Sequence, residues 1–227
     1  MRRFLVLILS VSLLVLPVRA EAQPKYAVLT FDDGPSGRFT RRLLEGLKER
    51  DVKATFLLCG YRIKDYPEEA RQIAQEGHEI GIHGYSHDCM CCMSREQVGR
   101  EILDTAALLP KGVHPIFLRP PGGKCGEAMY AAAKQQGLAV LNWSLDSRDW
   151  ALKDAAALTR RVVENVRDGD VILMHDMYDS SVDAALAIID RLTEQGYRFV
   201  TATQLVRLRG IRFRPGAVYC SFPPADT

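Results

Sequence analysis

The sequence predicts one α/β domain in which parallel strands alternate with helices. Short apolar runs rich in β-branched and aromatic residues recur from residue 25 onward, and amphipathic segments with a helical period separate them. Strands that alternate with helices pair in parallel through right-handed crossovers. A barrel of seven or eight units and a doubly wound open sheet both fit this order. We find no internal repeat or linker that divides the chain, so one domain is expected.

Seven segments carry the strand pattern. They are residues 26–31, 54–58, 78–82, 115–118, 138–145, 171–175 and 198–201. Between them, Thr40 is placed to cap the first helix, Pro67 suits a first helical position, and Ser94 with Gln97 forms a capping-box pattern. Glycines follow four predicted helix ends, where a left-handed residue is favoured: Gly77, Gly137, Gly169 and Gly196.

The first 22 residues have the pattern of a signal peptide. Arg2 and Arg3 precede an apolar stretch, residues 4–16, that is short for a membrane-spanning helix. Residues 20–22, Ala-Glu-Ala, offer a cleavage site with small residues at its two key positions. We therefore assign residues 1–22 to a signal peptide and residues 23–227 to the folded domain. An uncleaved N-terminal anchor is the alternative, and either places the domain outside the cytoplasm, secreted or in the cell envelope.

The charge balance argues against several classes of partner. The full chain has 30 Lys+Arg and 28 Asp+Glu, a formal net charge of +2. Cleavage after Ala22 removes three arginines and one glutamate, so the mature chain has a formal net charge of zero. Nucleic acid and anionic membrane surfaces are therefore not expected as partners. We expect a monomer whose only membrane contact is the signal peptide or anchor.

The six cysteines stand at positions 59, 89, 91, 92, 125 and 220. An even number in an exported chain allows disulfides. Residues 88–93, DCMCCM, hold three of them in a pattern that suggests a soft-metal site. Because no paired CxxC spacing occurs elsewhere, disulfides or free thiols are the favoured interpretation.

Polar side chains suited to catalysis follow the ends of the predicted strands. They are Asp32, Asp33, His83, His87, Arg119, Asp146, Asp149, Trp150, His175 and Asp176. The carboxyl ends of parallel strands meet at one rim, which is where α/β proteins bind ligands. We therefore expect residues more than 140 positions apart to converge on a single site.

The spacing of His83 and His87 lets two imidazoles reach one metal ion, although alone it is weak evidence. A carboxylate from the pair Asp32 and Asp33 completes a set with open coordination positions, which is typical of a catalytic site. If Asp33 binds the ion, Asp32 is left to accept a proton from water. An Asp-Gly-Pro turn explains one aspartate but not both. A non-haem iron(II) oxygenase has the same ligand types, but the alternation of strands and helices argues against it.

Five segments together resemble the signatures of polysaccharide deacetylases of the NodB-homology type, carbohydrate esterase family 4. In the family's order they are TFDDGP at 30–35, GHEIG and then H-x-x-x-H at 77–87, RPPGG at 119–123, DSRDW at 146–150 and VILMHD at 171–176. The resemblance implies a deformed (β/α) barrel of seven or eight units. It also implies a metal-dependent hydrolase that removes N-acetyl groups from a cell-wall or chitin-like polysaccharide, either peptidoglycan or N-acetylglucosamine oligomers.

The resemblance assigns the metal site and the base. Asp33, His83 and His87 are expected to bind a divalent cation, usually Zn²⁺ and sometimes Co²⁺ or Ni²⁺. Asp32 is expected to be the general base, with Arg119 keeping it ionised and oriented.

The acid and the substrate contacts follow from the same resemblance. His175 is expected to be the general acid, with Asp149 as its favoured partner and Asp146 as the alternative. The main-chain N–H at Gly122 is expected to stabilise the oxyanion, and Trp150 and Leu173 to line the pocket for the acetyl methyl group.

Two residues depart from the family pattern. Gly122 stands where an aromatic residue is common, and Gly84 stands where Ser or Thr is common. Both changes bear on the choice of substrate and on efficiency more than on the class of reaction. An O-acetyl xylan esterase of the same fold and a non-catalytic wall-binding relative are the alternative functions.

Overall fold

The computed structural model describes residues 23–225. Within that range the strands are β1 (Lys25–Asp32), β2 (Thr55–Leu58), β3 (Glu79–Ile82), β4 (Phe117–Leu118), β5 (Ala139–Leu141), β6 (Leu145–Asp146), β7 (Asp170–His175), β8 (Tyr197–Phe199) and β9 (Val218–Tyr219). The helices are α1 (Arg38–Glu49), α2 (Gly60–Asp65), α3 (Pro67–Gln75), α4 (Arg95–Ala106), α5 (Glu127–Gln135), α6 (Ala155–Asn165), α7 (Asp179–Glu194) and α8 (Ala202–Leu208).

The predicted signal peptide, residues 1–22, lies outside the described residues. Among residues 23–225, every helix is too short or too polar to cross a membrane.

The strands form one parallel sheet in the order β6-β7-β1-β2-β3-β4-β5-β9, and β8 pairs with the first residues of β1. The sheet curls into a deformed (β/α) barrel with its helices outside, which confirms the predicted fold class and decides against the doubly wound sheet. The barrel is interrupted between β5 and β6, which follow each other in sequence but pair with different neighbours. Residues 142–144 cross this interruption.

Side chains of β1 alternate between the inside of the barrel and the surrounding helices. Val28 belongs to the inner core, while Leu29 and Phe31 pack in the outer core with residues of α1 and α7. The same alternation places Thr30 and Asp32 on the inner side, nearer the carboxyl end of the strand. Asp32 is in register with His175 at the end of β7. The period of the strands therefore delivers a carboxylate and an imidazole side by side at the rim.

The inner core is closed at the other end of the strands by the C-terminal part of the chain. Phe222 is fully buried there with residues of α8 and the inner faces of four strands. Its backbone N–H donates to the carbonyl oxygen of Gly169, immediately before β7. The chain end thus serves as the floor beneath the site.

Several boundary predictions are confirmed. Pro67 is the first residue of α3, and Ser94 and Gln97 form both hydrogen bonds of a capping box at the start of α4. Gly77, Gly137 and Gly196 directly follow the C-caps of α3, α5 and α7 with positive φ, as predicted. Gly169 also has positive φ, but α6 already ends at Asn165, so the predicted place of Gly169 at a helix end is wrong.

Three further predictions about the elements are wrong. Residues 138–145 form β5 and β6 rather than one strand, because the polar segment 142–144 turns the chain across the interruption of the barrel. The described residues therefore hold nine strands instead of seven, and β9 was missed. Thr40 does not cap α1, which begins at Arg38. Its hydroxyl instead accepts from the N–H of Ser36 and donates to Asp176.

Candidate active site

The metal-site candidates lie on two loops at the carboxyl ends of β1 and β3. Asp33 follows β1 with φ of 68°, and His87 lies in the loop after β3 with φ of 67°. Both residues are in the left-handed region, which aspartate and histidine adopt more readily than most residues. His83 directly follows β3 and is buried. These backbone conformations turn all three side chains toward one point.

The geometry of the three side chains fits a cation. The Nε2 atoms of His83 and His87 lie 3.2 Å and 3.0 Å from Oδ1 of Asp33. Nδ1 of His83 lies 2.7 Å from the carbonyl oxygen of Arg119 and donates to it, which leaves Nε2 directed at Asp33. Oδ1 of Asp33 is buried without a hydrogen-bond partner among the described residues. Two imidazole nitrogens and a carboxylate oxygen that converge on one point form a donor set suited to a divalent cation.

The charge state of Asp33 suits a metal ligand. Burial alone raises the pKa of its carboxyl group, but the contacts with His83 and His87 and the charge of His175 outweigh burial and hold the pKa well below its ordinary value. The contact with Asp33 in turn raises the pKa of His87. Asp33 is therefore ionised at neutral pH, as metal binding requires.

Asp32 is held by a fully buried arginine. Arg119 donates from one terminal nitrogen to Oδ1 of Asp32 at 2.6 Å and to the hydroxyl of Thr30 at 2.7 Å. Its remaining donors reach the carbonyl oxygens of Leu141 at 2.6 Å and Asn142 at 2.9 Å. Because the carbonyls fix the guanidinium, the second oxygen of Asp32 is left to face the cleft, 3.7 Å from Nε2 of His83. This carboxylate is oriented as a proton acceptor beside the metal candidates.

His175 ends β7, the strand beside β1, with its ring oriented by a buried carboxylate. Its Nδ1 is 2.8 Å from Oδ1 of Asp149, and its backbone N–H donates to Oδ2 of the same residue at 2.7 Å. Burial lowers the pKa of His175, but Asp149 first, and then Asp32 and Asp33, raise it to about 9. The imidazole is therefore charged at neutral pH, with Nε2 3.9 Å from Oδ2 of Asp33. The carboxylate of Asp146 instead accepts from Arg148 and Trp150.

One cleft of about 330 Å³ contains most of the predicted residues. It is lined by Asp32, Asp33, His83, His87, Gly122, Trp143, Asp146, Trp150, Leu173 and His175. Arg119 and Asp149 lie behind this lining, in contact with Asp32 and His175. Gly122 has φ of 65°, and a Cβ built there meets no described heavy atom within 4 Å. The absence of a side chain at this position leaves that wall of the cleft open.

Sequence reasoning missed two residues of the site. Trp143 lies in the interruption of the barrel and lines the cleft, with its ring 5.6 Å from the Arg119 guanidinium carbon. The sequence marked it only as part of a strand. Glu101 was missed because it comes from α4, away from the strand ends. Its acidic side chain on the buried side of an amphipathic helix was the available signal.

Glu101 holds the loop that carries His87. One carboxylate oxygen accepts from the backbone N–H groups of Tyr85 at 2.6 Å and Ser86 at 2.9 Å. A Cβ at Gly84, which has φ of 80°, would lie 3.1 Å from this oxygen and 2.7 Å from the Met90 side chain. The close approach explains why glycine stands there. The carboxylate braces the loop where the family commonly has a hydroxyl.

The family profile described as polysaccharide deacetylase matches residues 19–141. The chain is also 38% identical over 191 residues to the peptidoglycan-N-acetylglucosamine deacetylase of Bacillus cereus, covering 82% of this chain and 90% of the relative. The chain belongs to the polysaccharide deacetylase family. The predicted resemblance and the deacetylase interpretation are confirmed.

Other relatives of this deacetylase agree. It is 36% identical over 187 residues to the peptidoglycan-N-acetylmuramic acid deacetylase PdaC of Bacillus subtilis, covering 82% of this chain but 39% of that longer protein. Among solved structures, a family 4 acetyl xylan esterase from Clostridium thermocellum in complex with a cobalt ion has a TM-score of 0.82 at 35% identity, covering 88% of this chain and all of that one. The structure of T48 deacetylase with substrate has a TM-score of 0.81 at 35% identity, covering 86% and 96%.

Proposed function

We propose that this deacetylase removes the N-acetyl group from N-acetylglucosamine residues of peptidoglycan outside the cytoplasm, with Zn²⁺ bound by Asp33, His83 and His87. The observation that carries the proposal is the convergence of three ligand atoms within 4.8 Å of one another, with a proton acceptor on one side and a charged imidazole on the other. A cation bound there polarises the acetamide carbonyl and lowers the pKa of water.

Asp32 is the base in this proposal. Its Oδ1 is occupied by Arg119, so Oδ2 accepts the proton when water attacks the carbonyl carbon. The buried guanidinium pairs with this carboxylate and fixes its direction. The N–H of Gly122, on the wall of the same cleft, donates to the carbonyl oxygen as negative charge develops on it.

His175 is the acid. An amide nitrogen leaves poorly unless it is protonated, and Nε2 of His175 faces the cleft while Nδ1 is held by Asp149. Proton transfer from Nε2 to the nitrogen lets the carbon–nitrogen bond break, which releases acetate and the free amine of the sugar. Leu173 and Trp150 enclose the methyl group from the β7 and β6 sides.

The substrate proposal rests on the relatives and on the shape of the cleft. Two named relatives act on peptidoglycan, one on N-acetylglucosamine and one on N-acetylmuramic acid. The lactyl ether of a muramic acid is bulky, and the open wall at Gly122 leaves room for it, so the enzyme is expected to accept N-acetylglucosamine residues whose neighbours are muramic acids. A signal peptide at residues 1–22, as predicted, delivers the enzyme to this polymer.

Acetate release from a panel of glycans tests the proposal. The panel contains peptidoglycan, chitin oligomers and acetylated xylan, each with and without a metal chelator. We expect chelator-sensitive release of acetate from peptidoglycan, with glucosamine appearing in an enzymatic digest of the treated polymer. Release from xylan alone contradicts the N-deacetylase assignment, and chelator-resistant release contradicts the metal site.

The variant Asp32→Asn separates the base from the metal site. It keeps the shape of the side chain and its place beside Arg119, so metal content should remain that of the wild type. Acetate release should fall by a factor on the order of 10²–10⁴. Full turnover in this variant contradicts the role of Asp32, and loss of the metal shows that Asp32 is a ligand instead.

A further inference from the structure

A second group of possible metal ligands lies on the turn after the loop that carries His87. The Sγ atoms of Cys89, Cys91 and Cys92 all lie within 4.8 Å of one another. The distance from Cys89 to Cys91 is 2.7 Å, and that from Cys91 to Cys92 is 3.7 Å. Cys91 and Cys92 are exposed and Cys89 is partly exposed. Nothing in the deacetylase chemistry described above uses these thiols.

The backbone of the turn that carries the three thiols is anchored to the protein core. Residues Met90–Cys92 form a 3₁₀ turn in which the N–H of Cys92 donates to the carbonyl oxygen of Cys89 at 3.2 Å. Met90 is buried in the hydrophobic core between the sheet and helices α4 and α5. The capping box at Ser94 then fixes the start of α4 directly after the turn. Three thiols are thus presented to solvent from an anchored backbone.

We propose that Cys89, Cys91 and Cys92 bind one thiophilic cation, Zn²⁺ or Cu⁺. Thiolates are soft ligands that select these ions over the oxygen-preferring ones. Zn–S bonds of about 2.3 Å at tetrahedral angles separate two sulfurs by about 3.8 Å, close to the 3.7 Å between Cys91 and Cys92. Cys89 lies 2.7 Å from Cys91, so its side chain must move away by about 1 Å to share the ion. Each thiol that binds releases its proton to solvent. A disulfide uses two of the three sulfurs, whereas a bound cation uses all of them.

The donor set distinguishes this site from the active site. The active site offers two imidazole nitrogens and a carboxylate oxygen, whereas the turn offers only sulfur. Cys89 follows His87 by two residues, so a cation on the turn restrains the end of the loop that carries His87. The Met90 side chain, which packs against Gly84, connects the two segments. The chain therefore has the ligands for two ions of different chemical preference on adjacent segments.

Cobalt substitution tests the site without an activity assay. The full chain, purified under nitrogen with a phosphine reductant and stripped of metal, is titrated with Co²⁺ and read by absorption and native mass spectrometry. We expect two ions per chain and a sulfur-to-cobalt charge-transfer band. The variant His83→Ala/His87→Ala should retain one ion with the band. The variant Cys89→Ser/Cys91→Ser/Cys92→Ser should retain one ion without it, and the control Cys220→Ser should match the wild type.

Parallel titrations with Zn²⁺ and with Cu⁺ against a competing chelator identify the ion that the turn prefers. An ion count that is unchanged in the triple cysteine variant for all three ions overturns the proposal. A Cys89–Cys91 disulfide in a second preparation made without reductant, seen as a loss of two hydrogens in the peptide mass, also overturns it. If no glycan of the panel releases acetate, the proposed deacetylase function fails but the test of the cysteine site still stands. The charge-transfer band is read in the variant that lacks the active-site histidines.

Discussion

His175 is charged at neutral pH because one buried carboxylate outweighs the effect of its own burial. Burial lowers the pKa of the imidazole, whereas the hydrogen bond and charge of Asp149 raise it, with further contributions from Asp32 and Asp33, to about 9. The acid form is therefore present below this value and is lost as the pH rises through it. The alkaline limit of the deacetylase reaction should be set by this residue.

The variant Asp149→Asn removes the main effect that raises the pKa of His175. Burial then dominates, so the alkaline limb of the kcat profile should move to lower pH, with a loss of maximal rate on the order of 10²-fold. The measurement is the pH dependence of acetate release at saturating metal. Asp146→Asn is the matched control, since its carboxylate contacts Arg148 and Trp150 instead. An alkaline limb at the same pH in both variants refutes the pairing of Asp149 with the acid.

His83 should be indispensable for the proposed metal binding, because the Arg119 carbonyl fixes its Nδ1 and its Nε2 points between the carboxylates of Asp32 and Asp33, where the ion would bind. We expect His83→Ala to lose metal and activity together, which elemental analysis and acetate release measure on the same sample. His114→Ala, an exposed position, is the control. A variant at position 83 that is metal-free yet active is incompatible with the proposed site.

At the scale of the element, the loop between β3 and α4 is positioned by a helix rather than by the sheet. Glu101 of α4 accepts from two successive backbone N–H groups of this loop. Glutamine keeps one acceptor oxygen for these two donors but loses the negative charge that strengthens both hydrogen bonds, and it turns its amide N–H₂ toward the Ser86 hydroxyl, which in the wild type donates to the other carboxylate oxygen. We expect Glu101→Gln to weaken Zn²⁺ binding by about 10–100-fold, as loss of a supporting contact around metal ligands does. Chelator competition measures this affinity.

Asp104→Asn, at an exposed position of α4, is the control for this effect. Its zinc affinity should equal that of the wild type. Equal zinc affinity in Glu101→Gln and in the control would contradict the role of Glu101. The loop would then be held by its backbone hydrogen bonds to α2 alone, which the N–H groups of Gly60 and Tyr61 donate to the carbonyl oxygens of Gly84 and Tyr85.

The features that the sequence predicted correctly are those that depend on residues close together in the chain. Residues that follow a strand, such as Asp33 and His83, were placed at the rim because parallel strands share one direction. The split of residues 138–145 was missed because LAVLNWSL has the pattern of one apolar strand. The turn at 142–144 depends on how the barrel closes, which the local sequence does not show. Strand β9 is two residues long, too short to show a period. Glu101 was missed because its partner is a loop 15 residues away.

At the scale of the whole molecule, the alternation of strands and helices predicted a barrel or an open sheet, and the choice depended on contacts far apart in sequence. Trp143 and Phe222 illustrate why. The first lies where the barrel is interrupted, and the second closes its floor through a hydrogen bond to Gly169. Neither contact leaves a local pattern, because each depends on residues brought together only when the sheet has curled. The motifs at the strand ends specify the site, while the closure of the barrel is a tertiary property.

The floor of the barrel should contribute to stability without contributing to catalysis. Phe222 is fully buried, and a Cβ at Gly169, whose φ is 92°, would collide with the Phe222 carbonyl, so the two segments are in tight contact. Replacing Phe222 with alanine leaves a cavity in the inner core and should lower the free energy of unfolding by about 3–5 kcal/mol. Leu208→Ala, 56% exposed, should change it little. Urea unfolding measures both variants. Because Phe222 contacts the start of β7 and His175 ends that strand, the folded Phe222→Ala enzyme should keep its metal content and its kcat. A loss of kcat in the folded variant contradicts this separation of the floor from the rim.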